Sequence, residues 1–161
     1  MNPASVEQRR DAACQSILRT PYVQALGLRF ERFAPDGVTM RLPFAEWLTN
    51  DGVHYHGGVI SAVLDTAGVA AFWASYDFSA PLRAPTIGLN VQFMGACKGT
   101  DLWCTARVVR RGKSLVFTEA TGLDPDGLVV AHSTQTYRLV ARTPAGAPGS
   151  KNSSNYDGST P

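Results

Sequence analysis

Residues His56–Ala74 read HGGVISAVLDTAGVAAFWA. Asp65 is the one acidic or basic side chain in this stretch besides the histidine that opens it. The segment has the length and composition of a helix, expected from about Gly57 to Tyr76. A helix apolar on every side is buried rather than laid on a surface. An ionised carboxylate inside it is costly unless compensated, so Asp65 is either bonded into the fold or kept for chemistry.

Upstream, Ser5 to Leu18 has an apolar side (Ala13, Ile17, Leu18) and a Ser5/Gln8 capping pair, which predicts a short amphipathic helix. Thr20-Pro21 is expected to end it, because a residue before proline is pushed out of helical backbone. Leu26–Phe33 and Gly37–Leu42 read as strands joined at Pro35-Asp36-Gly37. Pro43–His54 reads as a loop. Downstream of the helix, Thr86–Met94 alternates, with Ile87, Leu89, Val91 and Phe93 on one face. Leu102–Arg110, Ser114–Gly122 and Leu128–Leu139 come next as strands, the last pair joined at Asp124-Pro125-Asp126-Gly127.

The pattern is α+β: a helix, two strands, one long apolar helix, then four antiparallel strands by hairpins. A curved antiparallel sheet can wrap a lone apolar helix. The helix side that the sheet leaves bare needs another surface, and dimerisation supplies one. Residues 1–20 are expected as an N-terminal helix and 21–140 as the domain. Residues 141–161, rich in Gly, Ser and Pro, are expected as a disordered tail.

Composition narrows the function. The chain has 161 residues, 17% charged, with net charge +2 and no long basic run, which argues against nucleic acid as partner. Cys14, Cys97 and Cys104 are odd in number and show no C-x-x-C spacing. That speaks against a disulfide framework or a metal site and for a reducing compartment. The charged N-terminus lacks the apolar core of a signal peptide. Asp65 and the Gly/Ala content weigh against a membrane span. A cytoplasmic protein is expected.

Asn50, then His56-Gly57-Gly58, then Asp65, Thr86 opening TIGLNVQF, and the basic turn VVRRGKS at Val108–Ser114 occur in a distinctive order. In these motifs, and over about Pro21–Val140, the chain resembles the hot-dog-fold acyl-CoA thioesterases, most of all the PaaI-like group of the phenylacetate pathway and thioesterase superfamily member 2. The resemblance implies a sheet wrapped around the long helix and a homodimer with a continuous sheet, often paired into a tetramer. It also implies active sites at the subunit interface and an acyl-CoA substrate, with no separate cofactor and no metal. Family members often carry Arg-Pro after the TIGLNVQF-like strand, where this chain has Gly95-Ala96-Cys97.

The residues fit thioester hydrolysis, which needs a donor for the developing oxyanion and a base or nucleophile. Gly57 and Gly58 lie at the helix start, where backbone N–H groups lack partners and the dipole favours negative charge. Gly57 N–H is the candidate oxyanion donor, with His56 orienting the loop or adding polarisation. The plain alternative is a tight helix entry. Asp65 is the candidate base or nucleophile, and burial of a carboxylate strengthens it as a base. Its plain alternative is a core aspartate bonded to Thr66 or to a neighbouring chain. Nine residues separate His56 from Asp65, about 13 Å of helical rise. One helix therefore cannot bring both to one carbonyl, and the donor and the carboxylate are expected from different subunits.

Asn50 and Thr86 are candidates to position the lytic water or Asp65; a loop asparagine and a strand-opening threonine are the plain readings. Arg110, Arg111, Gly112, Lys113 and Ser114 form a turn able to clamp CoA phosphates, with Gly58 a further candidate for binding CoA, though charged hairpin tips are commonly only solvated. Phe44, Trp47, Phe72 and Trp73 are candidates for an acyl pocket. His54 is expected to be a loop histidine without an assigned role, and His132 to be structural. The competing functions are an acyl-CoA-binding protein without turnover and a hot-dog dehydratase or hydratase.

Overall fold

A computed structural model describes residues 3–80 and 82–141. The expected tail lies, beyond Ala141, outside the described residues. Helix α1 spans Pro3–Leu18. Helix α2 (Pro21–Leu26) comes next, where the sequence predicted only the end of a helix and then a strand from Leu26. The reason is local: Pro21 sits at the first helical turn, where its missing N–H costs nothing, and Gly27 closes the turn in left-handed backbone (φ 74°). Val23 and Leu26 are thereby buried in the core.

Strands β1 (Arg29–Ala34) and β2 (Gly37–Leu42) form a hairpin. The loop after β2 contains a 3-10 turn at Glu46–Leu48. Helix α3 runs Gly57–Ser75. After the short β3 (Leu82–Arg83) come β4 (Thr86–Phe93), β5 (Leu102–Arg111), β6 (Leu115–Leu123) and β7 (Val129–Arg138). Strand β8 (Val140–Ala141) pairs with β3.

The main sheet is six-stranded in the order β1-β2-β5-β6-β7-β4, and each neighbouring pair is antiparallel. This corrects the expectation of four strands joined by hairpins. Strand β4 does not pair with β5; it lies at the far edge against β7. The sheet wraps α3, which packs on all six strands. Ile60, Val63, Leu64, Ala67, Ala70, Ala71 and Phe72 bury its inner side. Each fully buried large aliphatic or aromatic side chain contributes about 1.5–3 kcal/mol relative to exposure.

As expected of a helix wrapped by one sheet, α3 has a side that the sheet leaves uncovered. Val59, Ala62, Asp65, Thr66, Val69 and Trp73 form a stripe that is only half-buried. By length and composition alone α3 could cross a membrane, but here it fills the concavity of the sheet.

The C-terminal end of α3 is closed. Arg10 Nε donates to the Ala74 carbonyl at 2.8 Å and Arg9 Nη1 to the Phe78 carbonyl at 3.0 Å. A cation there also meets the negative end of the helix dipole. Phe72, Trp73, Tyr76 and Phe78 cluster beneath, with ring centroids 4.8–6.2 Å apart.

Candidate active site

The N-terminal end of α3 is open by contrast. His56 is the N-cap residue, and its Nδ1 accepts the Gly58 N–H at 2.9 Å. In a neutral ring this places the proton on Nε2. Val59 and Ile60 donate to the His56 carbonyl at 3.0 and 3.2 Å. Of the first four N–H groups of α3, Gly57 N–H alone has no partner among the described residues. A Cβ on Gly57 would lie 3.3 Å from the Phe93 ring, so Phe93 packs against this residue and glycine makes room for it. The sequence grouped Gly57 with Gly58. The structure separates them, because the His56 cap occupies Gly58 N–H.

The loop before the helix is built on its own polar contacts. Asp51 Oδ1 accepts the Val53 and His54 N–H groups at 3.0 and 2.7 Å, and its other oxygen meets His54 Nδ1 at 2.7 Å. These bonds, led by the backbone N–H of His54, hold the Asp51 pKa down at about 2. His54 is thus a loop histidine, as expected. Asn50 N–H donates to the His54 carbonyl at 2.9 Å, while His56 N–H donates to the Leu48 carbonyl at 2.9 Å. Asn50 is exposed and lines an open hollow with Trp47, which is 64% exposed.

Asp65 is half-buried rather than fully buried. Thr86 Oγ1 donates across to its carboxylate, at 3.1 Å from Oδ1 and 3.3 Å from Oδ2. The Tyr137 hydroxyl lies 3.0 Å from the Asp65 carbonyl and 3.2 Å from Oδ1. Asp65 and Thr86 therefore meet within one chain. Asn50, His56 and Gly57 gather at the other end, and none of them is bonded to Asp65. One protomer holds two candidate half-sites, separated along α3 by roughly 12 Å of helical rise.

Strand β4 borders both half-sites: Thr86 at its start touches Asp65 and Phe93 at its end packs against Gly57. In register, Leu89, Val91 and Phe93 oppose Gln135, Ser133 and Ala131, whose side chains point at the helix. This face of β4 should be covered, yet Ile87 is 57%, Leu89 42% and Phe93 54% exposed. The strand overhangs α3, leaving an apolar shelf beside the half-buried stripe of the helix.

At the other candidate region, Arg110, Gly112, Lys113 and Ser114 are exposed around the β5–β6 turn. Arg110 and Lys113 make no ion pair among the described residues. Arg111 instead lies over the rings of Phe72 and Tyr76, at 5.0 and 4.7 Å from their centroids. Among the acyl-pocket candidates, Phe72 is fully buried and Phe44 packs edge-on against Tyr55. Trp73 borders a cavity of about 400 Å³ between α1, Phe78 and Leu82. His132 bonds Thr121 Oγ1 at 3.0 Å on the sheet, in keeping with a structural role. Among the described residues no group of three His, Cys, Asp or Glu side chains is placed to hold a metal.

Residues 52–131 match the family model of the thioesterase superfamily. A provisionally named esterase of Halobacterium salinarum is 31% identical over 113 residues, which cover 68% of this chain and 74% of that protein. A thioesterase family protein from Silicibacter pomeroyi has a solved structure that superposes with a TM-score of 0.72 at 28% identity, over 85% of this chain and 99% of that one. Zebrafish thioesterase superfamily member 2 shares the fold at 21% identity, with a TM-score of 0.68 over 81% of this chain and 97% of its own. With its long helix held in a curved antiparallel sheet, the chain belongs to the thioesterase superfamily and has the hot-dog fold.

Proposed function

We propose that this protein is an acyl-CoA thioesterase of the PaaI-like type, which hydrolyses an acyl- or aryl-CoA thioester to the carboxylate and free CoA in a homodimer. The observation that carries the reading is the division of the site. A Gly57 N–H without a partner among the described residues and a half-buried Asp65 carboxylate sit on the same helix, too far apart to serve one carbonyl. A two-fold partner joined along β4 continues the sheet, covers the apolar shelf and sets one subunit's Gly57 opposite the other's Asp65.

In that arrangement Gly57 N–H stabilises the charge that develops on the thioester oxygen, aided by the positive end of the α3 dipole. His56 holds the helix entry in the conformation that leaves this donor free. Either Asp65 takes a proton from the attacking water and returns it to the CoA sulfur as the C–S bond breaks, or it attacks the carbonyl carbon itself, CoA leaves as a thiolate that takes a proton from solvent, and water then hydrolyses the acyl-Asp65 anhydride to the carboxylate. Thr86 orients Asp65, and Asn50, on the loop that leads into α3, is the residue to hold water. Arg110 and Lys113, exposed at the β5–β6 turn and without an ion pair among the described residues, are suited to the CoA phosphates, with Gly112 and Ser114 shaping the turn. Arg111 serves there only if it leaves its two rings.

The test is release of free thiol from phenylacetyl-, benzoyl- and octanoyl-CoA by the purified protein and by Asp65→Asn. Turnover of at least one substrate by the wild type, lost in the variant, is expected. Tight binding of all three without thiol release would replace the enzyme with a binding protein. Full activity of Asp65→Asn would remove this carboxylate from the mechanism.

A further inference from the structure

The helix–sheet interface beneath Asp65 is polar where the core rule calls for aliphatic side chains. Three successive inward positions of β7 are Ser133, Gln135 and Tyr137, and Thr118 of β6 lies beside them; all four are at most 1% exposed. Every one is bonded. Thr118 Oγ1 donates to Gln135 Oε1 at 2.7 Å. Gln135 Nε2 reaches the Leu64 carbonyl at 3.1 Å and Ser133 Oγ at 2.6 Å. Tyr137 reaches both the carbonyl and the carboxylate of Asp65.

Gly68 belongs to the same construction. A glycine within a helix costs about 1 kcal/mol relative to alanine. Here an added Cβ would stand 2.5 Å from the Tyr137 hydroxyl, 2.8 Å from Thr118 Oγ1 and 2.9 Å from Gln135 Cδ. The helix gives up a side chain so that sheet hydroxyls and an amide can reach its backbone one turn earlier. The network grips α3 at Leu64 and Asp65, the two residues whose rotation sets where the carboxylate points.

We propose that Tyr137 is a positioning residue for Asp65, its hydroxyl and that of Thr86 fixing Oδ1 so that Oδ2 faces the thioester or the attacking water. The proposal rests on the reading of Asp65 as the thioesterase carboxylate. Each hydroxyl has one proton to give, and that of Tyr137 is shared between the Asp65 carbonyl at 3.0 Å and Oδ1 at 3.2 Å, both on the residue it positions. Oδ1 has both donors within 3.2 Å, whereas Oδ2 has only the longer Thr86 contact at 3.3 Å. Burial, with the Asp65 charge adding to it, raises the Tyr137 pKa. The phenol therefore stays protonated and acts as a donor, not as a base.

The experiment compares wild type, Asp65→Asn and Tyr137→Phe on whichever of the three acyl-CoA substrates the wild type turns over fastest. Tyr137→Phe keeps the ring and removes only the donor. A fall in kcat on the order of 10- to 100-fold is expected, as for a misplaced reacting group, with KM changed less than about twofold because uniform substrate binding is untouched. A role confined to packing lowers the melting temperature but leaves kcat per folded enzyme unchanged. That result, alongside an inactive Asp65→Asn, overturns the positioning role while the thioesterase reading stands. An active Asp65→Asn overturns the reading itself and this proposal with it. Should Tyr137→Phe fail to fold, a crystal structure of Thr86→Val decides. Oδ1 is expected to remain in hydrogen-bond contact with the Tyr137 hydroxyl, and a carboxylate turned away from Tyr137 overturns the proposal.

Discussion

The two edges of the main sheet are built to opposite specifications. Strand β1 is six residues long, bulged between Phe30 and Arg32, and carries Arg29, Glu31 and Arg32. Two of those charges are tied up with Asp36 and Arg41. These are the devices that keep an edge from pairing with another chain. Strand β4 is eight residues long, irregular in register only at its start between Thr86 and Gly88, holds no charge, and exposes Ile87, Leu89 and Phe93. An edge like that invites a partner strand. The candidate chemistry lies on the inviting side, since β4 supplies the donor to Asp65 and the ring against Gly57. One edge is closed to preserve the protomer, and the other is left open where the proposed site needs a second subunit.

The largest expected effect comes from making the open edge resemble the closed one. Leu89→Lys places a charge on the β4 shelf; sedimentation should show monomer, and thiol release should fall by at least about 100-fold because the half-sites no longer meet. Glu31→Lys at β1 is the matched control. It removes one exposed ion pair with Arg41, about 0.2–1 kcal/mol, and should leave both assembly and turnover unchanged. Equal sensitivity at both edges would break the comparison.

Asp65→Asn tests the same side without touching assembly. A loss of about 100- to 10,000-fold in kcat is expected, with the dimer intact by sedimentation. Thr86→Val is a smaller change. Losing one hydrogen bond to a charged group is worth about 1.5–3 kcal/mol, so kcat should drop between about 10- and 150-fold, and a drop confined to KM would contradict its assigned place. The smallest effect concerns pH and the loop that carries Asn50. Asp51 is held at a depressed pKa of about 2. A depressed carboxylate stabilises the folded state in full above its unfolded value near 3.9 and loses that contribution as pH falls through the folded value. Amide exchange of Val53 and His54 should therefore show no loss of protection from pH 7 to about pH 5, and protection should fall only below about pH 4; a loss already at about pH 6 would point elsewhere.

Local signals made most elements legible. The alternation in Gly37–Leu42, Leu102–Arg110 and Ser114–Gly122 matches the strands to within a residue or two at each end. Helix α3 starts at Gly57, where His-Gly-Gly placed it. Helix α2 was hidden because proline reads equally as a stop and as a first helical residue, and only the packing of Val23 and Leu26 into the core chooses between them. The place of β4 was hidden for another reason. Alternation says that a strand has an apolar face, not which strand lies beside it, and hydrogen bonding to β7 rather than β5 is a long-range decision.

Tyr137 marks the same boundary within the site. Its inward position is set by the alternation of β7, and polar Ser133, Gln135 and Tyr137 at inward positions, together with a glycine inside an apolar helix, were visible signals of a polar contact. Their target was not. The sequence by itself determined the helix, its lone carboxylate, the glycine entry and a spacing too long for one helix to close on one carbonyl, because these depend on neighbours along the chain and on helical rise. Tertiary structure alone decided that Phe93 packs against Gly57, that Thr86 and Tyr137 converge on Oδ1, and that β4 overhangs its own helix. Those outcomes depend on where strands distant in sequence come to rest, and no local pattern encodes that distance.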